Sequence, residues 1–205
     1  MKKYNKNIKN KIGIEKKEKE FGKEFWKPGN MLYPLPAVMV SCADKEKTNI
    51  ITIAWTGTVC TNPAMLYISV RPERYSYKII KNSGEFTINL TTKKLASAMD
   101  FCGVKSGRNV DKWKEMHLTQ GKGKKIKAPF IVESPVNIEC NVVNILELGS
   151  HHMFLAKVKG VHIDKTLLDK NGKLCLEKAG LVTYSHGFYY DLGKIVGKFG
   201  YSVKK

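Results

Sequence analysis

The chain has 205 residues, of which 42% are hydrophobic and 10% aromatic, and this composition is typical of a globular domain with a sizeable core. No apolar run approaches bilayer length and the N-terminus has no apolar core segment, so neither a membrane span nor a secretory signal is predicted. The formal net charge is +18, but the lysines are spread along the chain without a nucleic-acid motif, so nucleic-acid binding is not favoured.

The cysteines indicate a reducing compartment. There are five of them, an odd number at wide spacing, and no C-x-x-C pair occurs. This pattern argues against a disulfide framework and against a zinc site. We therefore expect a cytoplasmic protein without a metal.

In chain order, residues 1–27 are rich in Lys, Glu and Asn and poor in apolar side chains. They predict a basic, loosely ordered N-terminal arm. The composition changes at Pro28, and a single domain is expected over residues 28–205.

Within that domain the apolar runs predict mostly strands. Helices are expected only where the apolar residues recur at helical rather than strand spacing, and Gly84 is placed to end the first helix. Gly149 and Ser150 form a turn that would pair the two longest strands as a hairpin. Strands are predicted at 37–42, 50–54, 65–70, 85–90, 136–148, 153–163 and 181–184, and helices at 75–81, 92–101 and 111–116.

These elements favour a mainly β fold. The strands lie close together in sequence and show no regular alternation with helices, which predicts an antiparallel barrel with short inserted helices. No G-x-G-x-x-G segment and no P-loop occurs, so the usual nucleotide-binding folds are not indicated.

The arginines are the first candidate for a binding site. Only three of the 36 basic residues are arginines, namely Arg71, Arg74 and Arg108. The first two lie in a stretch with Ser69, Ser76 and Tyr77, and the third follows Ser106 and Gly107. An arginine fork with hydroxyl donors suits a phosphate or carboxylate. Helix ends and surface ion pairs are the alternative explanation.

The segment Asn49 to Gly57 is the second candidate. It reads as a strand that ends in Trp55, Thr56 and Gly57, which would place an aromatic ring, a hydroxyl and a permissive backbone at one rim. Such a rim suits a flat heterocycle. A core tryptophan at a strand end is the alternative.

Catalytic side chains are not evident. His151 and His152 are adjacent on a predicted strand and must point to opposite faces, which disfavours a two-histidine metal site but allows one histidine to line a pocket. No Ser-His or Cys-His pattern suggests nucleophilic catalysis.

Taken together, these motifs resemble the flavin reductase-like family, and within it the flavoredoxin-type members. The resemblance is carried by Asn49-x-x-Thr52-x-Ala54-Trp55-x-Gly57, Ser69-x-Arg71-x-x-Arg74-x-Ser76-Tyr77, Cys102-Gly103-x-x-Ser106-Gly107-Arg108-x-x-Asp111-Lys112, and Gly149-Ser150-His151. It covers residues 28–205. Cys60 and Pro63-Ala64 depart from the family pattern of Ser and Pro-Pro, so no contact is assigned to Cys60.

The resemblance implies an FMN-binding split β-barrel, Greek-key-like and usually a homodimer. By position it implies that the residues facing the flavin ring and ribityl chain are Asn49, Thr52, Ala54, Trp55 and Thr56. The residues that would hold the phosphate are Ser69, Arg71, Arg74, Ser76 and Tyr77. The residues that would close over the phosphate are Ser106, Arg108 and Lys112. His151 would approach the flavin or nicotinamide edge.

The implied function is an FMN-dependent oxidoreductase that takes hydride from NAD(P)H and passes electrons to a redox partner protein. The flavin carries such chemistry itself, so no catalytic acid or base is required. Two alternatives stay open. One is an electron-transfer module that holds FMN tightly without NAD(P)H activity, and the other is a basic nucleic-acid-binding protein.

Overall fold

The structure is a computed structural model that describes residues 22–45 and 47–203. The chain divides into two units at the boundary between Met31 and Leu32. Of the predicted basic arm, residues 1–21 lie outside the described residues, and residues 22–27 contain no helix or strand.

The second unit is built mainly from strands. In chain order, the strands of the described residues are β1 (Leu35–Pro36), β2 (Val38–Asp44), β3 (Lys47–Ile53), β4 (Thr56–Thr61), β5 (Ala64–Val70), β6 (Glu85–Leu90), β7 (Gln120–Gly121), β8 (Phe130–Ile131), β9 (Val136–Glu147), β10 (His152–Ile163), β11 (Val182–Ser185) and β12 (Phe188–Asp191). The α-helices are α1 (Tyr75–Ser83), α2 (Ala96–Val104) and α3 (Lys112–Glu115). Short 3-10 turns occupy Lys93–Leu95, Lys165–Leu167, Leu176–Ala179 and Tyr201–Val203.

Seven strands form the main sheet in the order β3-β2-β6-β9-β10-β5-β4, and every neighbouring pair is antiparallel. Two smaller sheets, β1-β11-β12 and β7-β8, complete the domain. The prediction of a mainly β, antiparallel fold with short inserted helices is confirmed. Both faces of β2 are buried from Val38 to Cys42, which explains why all of these residues except Ser41 are apolar.

The main core lies between the sheet and helix α1. Tyr77 and Ile80 on α1 pack in one cluster with Phe86 of β6 and Phe154 of β10. The helix ends at Gly84, which has a φ of 68° and donates its backbone N–H to the Ile80 carbonyl at 2.9 Å. A left-handed residue of this kind is the common way to end a helix, as the sequence predicted.

Helix α2 covers the opposite face of β2 and β3. Met99 and Cys102 pack there against Met39 and Ile50 in a second cluster. The sequence placed this helix at 92–101, whereas the helix begins at Ala96 after a 3-10 turn and continues to Val104. Gly103 therefore lies inside the helix, not in a loop.

The sequence missed five strands, namely β4, β12 and the two-residue strands β1, β7 and β8. The predicted strand 50–54 ends at Ile53, and Thr56 begins strand β4, which forms a hairpin with β5 at the edge of the sheet. Strand β12 (Phe188–Asp191) was not predicted because all four of its residues are exposed and carry no apolar alternation. Among the described helices, none is long and apolar enough to cross a bilayer.

Candidate functional site

Two adjoining clefts lie where strand β3, the start of helix α1 and the end of helix α2 meet. The wide cleft has a volume of about 540 Å³ and the narrow cleft about 220 Å³. They share Ile51, Glu73 and Arg74, so they form one continuous depression. The wide cleft is lined by Ile51, Thr52, Ile53, Ala54, Trp55, Ser69, Val70, Arg71, Glu73, Arg74, His151 and Tyr184. The narrow cleft is lined by Asn49, Ile51, Glu73, Arg74, Tyr75, Ser76, Cys102, Lys105, Ser106, Gly107, Arg108 and Lys112.

The wide cleft has an aromatic wall. Trp55 lies at the bend between β3 and β4, and the Ser69 N–H donates to its carbonyl at 2.8 Å, which fixes the bend. The Trp55 and His151 ring centroids are 4.4 Å apart at an interplanar angle of 40°. Trp55 remains 36% exposed, so part of its ring is open to a ligand. The cleft therefore offers flat apolar surface to a planar molecule.

His151 contributes a neutral ring to this wall. Burial lowers the pKa of His151, the charge of Arg71 lowers it further, and Glu73 only partly opposes the change. Its Nδ1 lies 3.0 Å from the Ser150 hydroxyl. The imidazole is thus held in place and uncharged near pH 7. His152 points the other way, to the Tyr77 hydroxyl at 2.7 Å.

The two arginines of the 71–74 turn have different positions. Arg71 lines only the wide cleft, and its exposed guanidinium lies 3.4 Å from the Glu73 carboxylate. Arg74 lines both clefts and donates to the Gly103 carbonyl at 2.7 Å. Since the Gly103 carbonyl belongs to α2, Arg74 also ties the turn to that helix.

The narrow cleft is rich in cations. Arg74, Lys105, Arg108 and Lys112 line it together with a single acid, Glu73. Arg108 donates to the Glu73 backbone carbonyl at 3.0 Å, an interaction that leaves the Arg108 charge uncompensated. Its guanidinium carbon also lies 5.9 Å from the centroid of the Tyr75 ring. The cleft therefore has a positive field suited to an anion.

Lys112 is buried in this cleft. It is 3% exposed, and its ammonium donates to the Ile50 carbonyl at 2.6 Å and the Cys102 carbonyl at 2.7 Å. Burial lowers the pKa of Lys112 to about 8. An ammonium has three N–H donors, so one remains for another acceptor.

Gly107 allows the loop after α2 to lie against the floor of the cleft. A Cβ at this position would be 2.2 Å from Asn49 Oδ1 and 2.7 Å from Tyr75 Cδ1. The Asn49 side chain is fixed because its Nδ2 donates to the Ser76 hydroxyl at 2.7 Å. Only glycine permits this approach of the backbone, which is a recurrent feature of loops that cradle a ligand.

Twelve of the fourteen predicted site residues line these two clefts. They are Asn49, Thr52, Ala54, Trp55, Ser69, Arg71, Arg74, Ser76, Ser106, Arg108, Lys112 and His151. The Thr52 hydroxyl, however, donates to the Met99 carbonyl and is already engaged.

Thr56 and Tyr77 line neither cleft, and their predicted contact with FMN stays a prediction. The Thr56 hydroxyl donates to the Tyr67 carbonyl at 2.5 Å, because Thr56 belongs to the unpredicted strand β4. The Tyr77 ring packs in the main core on the buried face of α1.

Sequence reasoning missed Glu73, Tyr75, Lys105 and Tyr184 as cleft residues. Lys105 directly precedes the predicted Ser106-Gly107-Arg108 segment, so the same positional argument could have included it. No feature of the neighbouring sequence marks Tyr184 as a cleft residue. It lines the wide cleft from strand β11, more than a hundred residues after Trp55 and Arg71. Within residues 22–45 and 47–203 no cluster of His, Cys, Asp or Glu is arranged to hold a metal ion.

Comparison with known proteins agrees with this architecture. The structure is similar to that of a flavoredoxin of Desulfovibrio vulgaris (Miyazaki F), with a TM-score of 0.82 and 28% sequence identity. The similarity covers 89% of this chain and 100% of the flavoredoxin chain. A flavoredoxin of Methanosarcina acetivorans has a TM-score of 0.79 at 26% identity, with the same coverage. The predicted split-barrel fold is thereby confirmed.

A sequence relative supports the same grouping. An uncharacterized protein of Archaeoglobus fulgidus is 32% identical over 142 residues, which is 69% of this chain and 78% of the relative. Residues 30–189 match the family described as the flavin reductase like domain. The chain therefore belongs to the flavin reductase-like domain family.

Proposed function

We propose that the protein is an FMN-dependent oxidoreductase that binds the flavin ring in the wide cleft and the phosphate in the narrow cleft. The observation that carries this proposal is the pairing of two continuous clefts with different chemistry. One presents aromatic and apolar surface, and the other presents four cationic side chains. FMN has the same division between a flat ring system and a dianionic phosphate.

The narrow cleft suits the phosphate. Arg74 and Arg108 supply guanidinium donors, and the Ser106 hydroxyl lies in the same cleft. Such forks bind phosphate oxygens strongly because the hydrogen bonds are charge-assisted. Gly107 lets the loop that carries Ser106 and Arg108 lie against Asn49 and Tyr75, which a Cβ would prevent, and so keeps these donors in the cleft. These residues fit the group without rearrangement of the core.

Glu73 suits the ribityl chain that joins the two ends of FMN. Glu73 lines both clefts, its carboxylate lies 3.4 Å from the Arg71 guanidinium, and its backbone carbonyl accepts a hydrogen bond from Arg108. A carboxylate beside a phosphate is unfavourable, but it is a good acceptor for hydroxyl groups. We therefore place the ribityl hydroxyls, not the phosphate, next to Glu73.

FMN supplies the redox chemistry when it is bound, and the protein supplies position and electrostatics. Arg71 brings a cation to the wide cleft, where it would stabilise negative charge gained on reduction. The neutral His151 ring and Trp55 form the wall against which the ring system would rest. No side chain in this cleft is required as an acid or base.

The first experiment asks whether the flavin is bound. The purified full-length protein should be yellow, or become so with added FMN, and dithionite should bleach it. A colourless protein with no saturable change in FMN fluorescence would contradict the proposal. Retention on DNA or RNA columns with a steep salt dependence would instead support the nucleic-acid alternative.

The second experiment identifies the electron donor. We propose NAD(P)H, with a redox partner protein or free flavin as acceptor. The likeness to flavoredoxins favours a second candidate, a carrier that keeps FMN and exchanges electrons with a partner without a pyridine nucleotide. Stopped-flow mixing of the FMN-loaded protein with NADH or NADPH separates the two. Bleaching of the flavin absorbance supports the reductase, and no bleaching at millimolar donor supports the carrier.

The homodimer and the cytoplasmic location remain proposals. Light scattering coupled to size exclusion tests the first, since the chain mass is 23.2 kDa and a dimer would double it.

A further inference from the structure

Lys112 combines burial with access to a cleft. It is the first residue of helix α3 and lines the narrow cleft, although its side chain is buried. Both of its hydrogen-bond acceptors, the Ile50 and Cys102 carbonyls, are backbone groups without net charge. Attraction of a phosphate needs only a cation, which the exposed Lys105 of the same cleft also supplies. The burial of Lys112 therefore points to a use of its amino group beyond charge.

We propose that Lys112 is a site of reversible covalent modification by small phosphorylated aldehydes, which form an imine with its amino group. The proposal shares with the proposed function the assignment of the narrow cleft to a phosphate. Three features support it, namely the electrostatics around the amine, its hydrogen bonds and the cations beside it.

The electrostatic environment favours the neutral amine. Burial lowers the pKa of Lys112 to about 8, and the charge of Arg74 also lowers it. The Cys42 and Cys102 thiols do not stabilise the ammonium as anions near neutral pH, because burial raises their pKa values to about 12 and about 11. At pH 7 roughly a tenth of Lys112 is therefore neutral, on the order of a hundred times the fraction of an ordinary lysine.

The hydrogen bonds of Lys112 leave its lone pair free. A neutral amine has two N–H groups and one lone pair. The Ile50 carbonyl at 2.6 Å and the Cys102 carbonyl at 2.7 Å accept the two N–H groups. The lone pair then remains for an electrophile in the cleft, as nucleophilic catalysis by lysine requires.

The neighbouring cations supply a place for the phosphate of the electrophile. Arg74, Lys105 and Arg108 line the same cleft, whose volume is about 220 Å³. Guanidinium forks bind phosphate oxygens through charge-assisted hydrogen bonds. A phosphorylated aldehyde held by these groups would have its carbonyl carbon in the same small cleft as the amine, which favours their reaction over reaction with exposed lysines.

The proposed step balances without a further reactant. The amine nitrogen forms a bond to the aldehyde carbon, and the two amine hydrogens then leave with the carbonyl oxygen as water. Nothing is oxidised or reduced, and hydrolysis of the imine restores both partners. The phosphate of the adduct would occupy the cleft that we assign to the phosphate of FMN, so modification and FMN binding should exclude each other.

The test is titration of the full-length protein with pyridoxal 5′-phosphate, followed by borohydride reduction and peptide mapping by mass spectrometry. We expect one adduct per chain at Lys112, formed in higher yield as pH rises toward 8 and blocked by added FMN. Pyridoxal, which lacks the phosphate, should need at least about tenfold higher concentration. Lys112→Met should remove the adduct. Lys78→Met is the matched control and should keep it, because Lys78 is exposed on helix α1 and lines neither cleft.

The outcomes separate this proposal from the proposed function. Adducts spread over exposed lysines, or concentrated on Lys105, would overturn it, and mapping of the unsubstituted protein shows this even if Lys112→Met does not fold. A protein that binds FMN but gives no adduct at Lys112 would refute the modification site and leave the FMN site standing. An adduct at Lys112 that FMN does not block would support the modification site and contradict the position proposed for the phosphate of FMN.

Discussion

Replacement of Arg74 by alanine tests the position of the phosphate most directly. Arg74 lines both clefts, and its one hydrogen bond to protein leaves further guanidinium donors available. Loss of one charge-assisted hydrogen bond costs about 1.5–3 kcal/mol. That range corresponds to a rise of roughly 10–150-fold in the Kd for FMN.

The assay is quenching of flavin fluorescence, measured with FMN and with riboflavin, which lacks the phosphate. Arg74 also supports helix α2 through the Gly103 carbonyl, so its loss could disturb the site indirectly. If Arg74 contacts the phosphate, Arg74→Ala should weaken FMN far more than riboflavin. An equal loss for both ligands would refute the phosphate contact and leave only a structural role. Arg71→Ala is the comparison, because Arg71 lines the wide cleft alone and should affect both ligands alike.

Three further predictions follow from single contacts. Trp55→Ala should change the absorption and emission of bound FMN and weaken the free energy of FMN binding by about 0.5–1.5 kcal/mol. An unchanged spectrum would mean that the indole does not contact the flavin. Gly107→Ala should weaken FMN binding and lower the free energy of unfolding by about 1–3 kcal/mol in thermal denaturation, whereas Gly193→Ala, which meets no atom within 4 Å, should not. FMN affinity should fall by about tenfold as pH rises through 8, because Lys112 loses its charge there while the phosphate stays dianionic, and Lys112→Met should abolish this dependence.

The sign of the Lys112 effect differs between binding and folding. Burial lowers the pKa of Lys112 to about 8, so the folded protein disfavours the charged form relative to the unfolded chain. This penalty is present below pH 8 and disappears as pH rises toward the ordinary lysine pKa. Lys112 should therefore make the flavin-free protein more stable over the same pH interval in which FMN binds less well. Parallel changes in both quantities would contradict this assignment.

The sequence alone predicted the helices and strands whose type and ends are determined by residues within the element itself. Helix α1 is an example, since its apolar face and the left-handed Gly84 at its end are both local features. The hairpin of β9 and β10 is another, because alternation and the Gly149 turn specify it. Strand β4 could not be found in this way, since an edge strand with the sequence TGTVCT buries little and shows weak alternation.

The same distinction explains which of the predicted site residues line the clefts. Thr56 and Tyr77 were assigned by their place in a motif, but the direction of each side chain depends on elements that the motif does not reveal. The break at Trp55 turns the Thr56 hydroxyl to the neighbouring strand, and the helical phase of α1 turns Tyr77 into the core. Arg71 and Arg74 are only three residues apart, yet across the tight turn between them Arg71 lines only the wide cleft, whereas Arg74 also lines the narrow cleft. Motif membership thus locates a site, while backbone geometry decides which members of the motif reach it.

The contrast between lysine and arginine in this chain has a structural basis. Lysines are spread along the whole sequence, whereas all three arginines lie in the two segments that border the clefts. Two of the arginines donate to backbone carbonyls: Arg74 donates to Gly103 and links the 71–74 turn to helix α2, and Arg108 donates to Glu73 and links the loop after α2 to the turn. A guanidinium can make such a link and still present donors to an anion, while an ammonium has fewer and less directed donors. Arg74 and Arg108 therefore join these elements and still have donors for the proposed anion site, so replacing either by lysine should weaken FMN binding although the charge is kept.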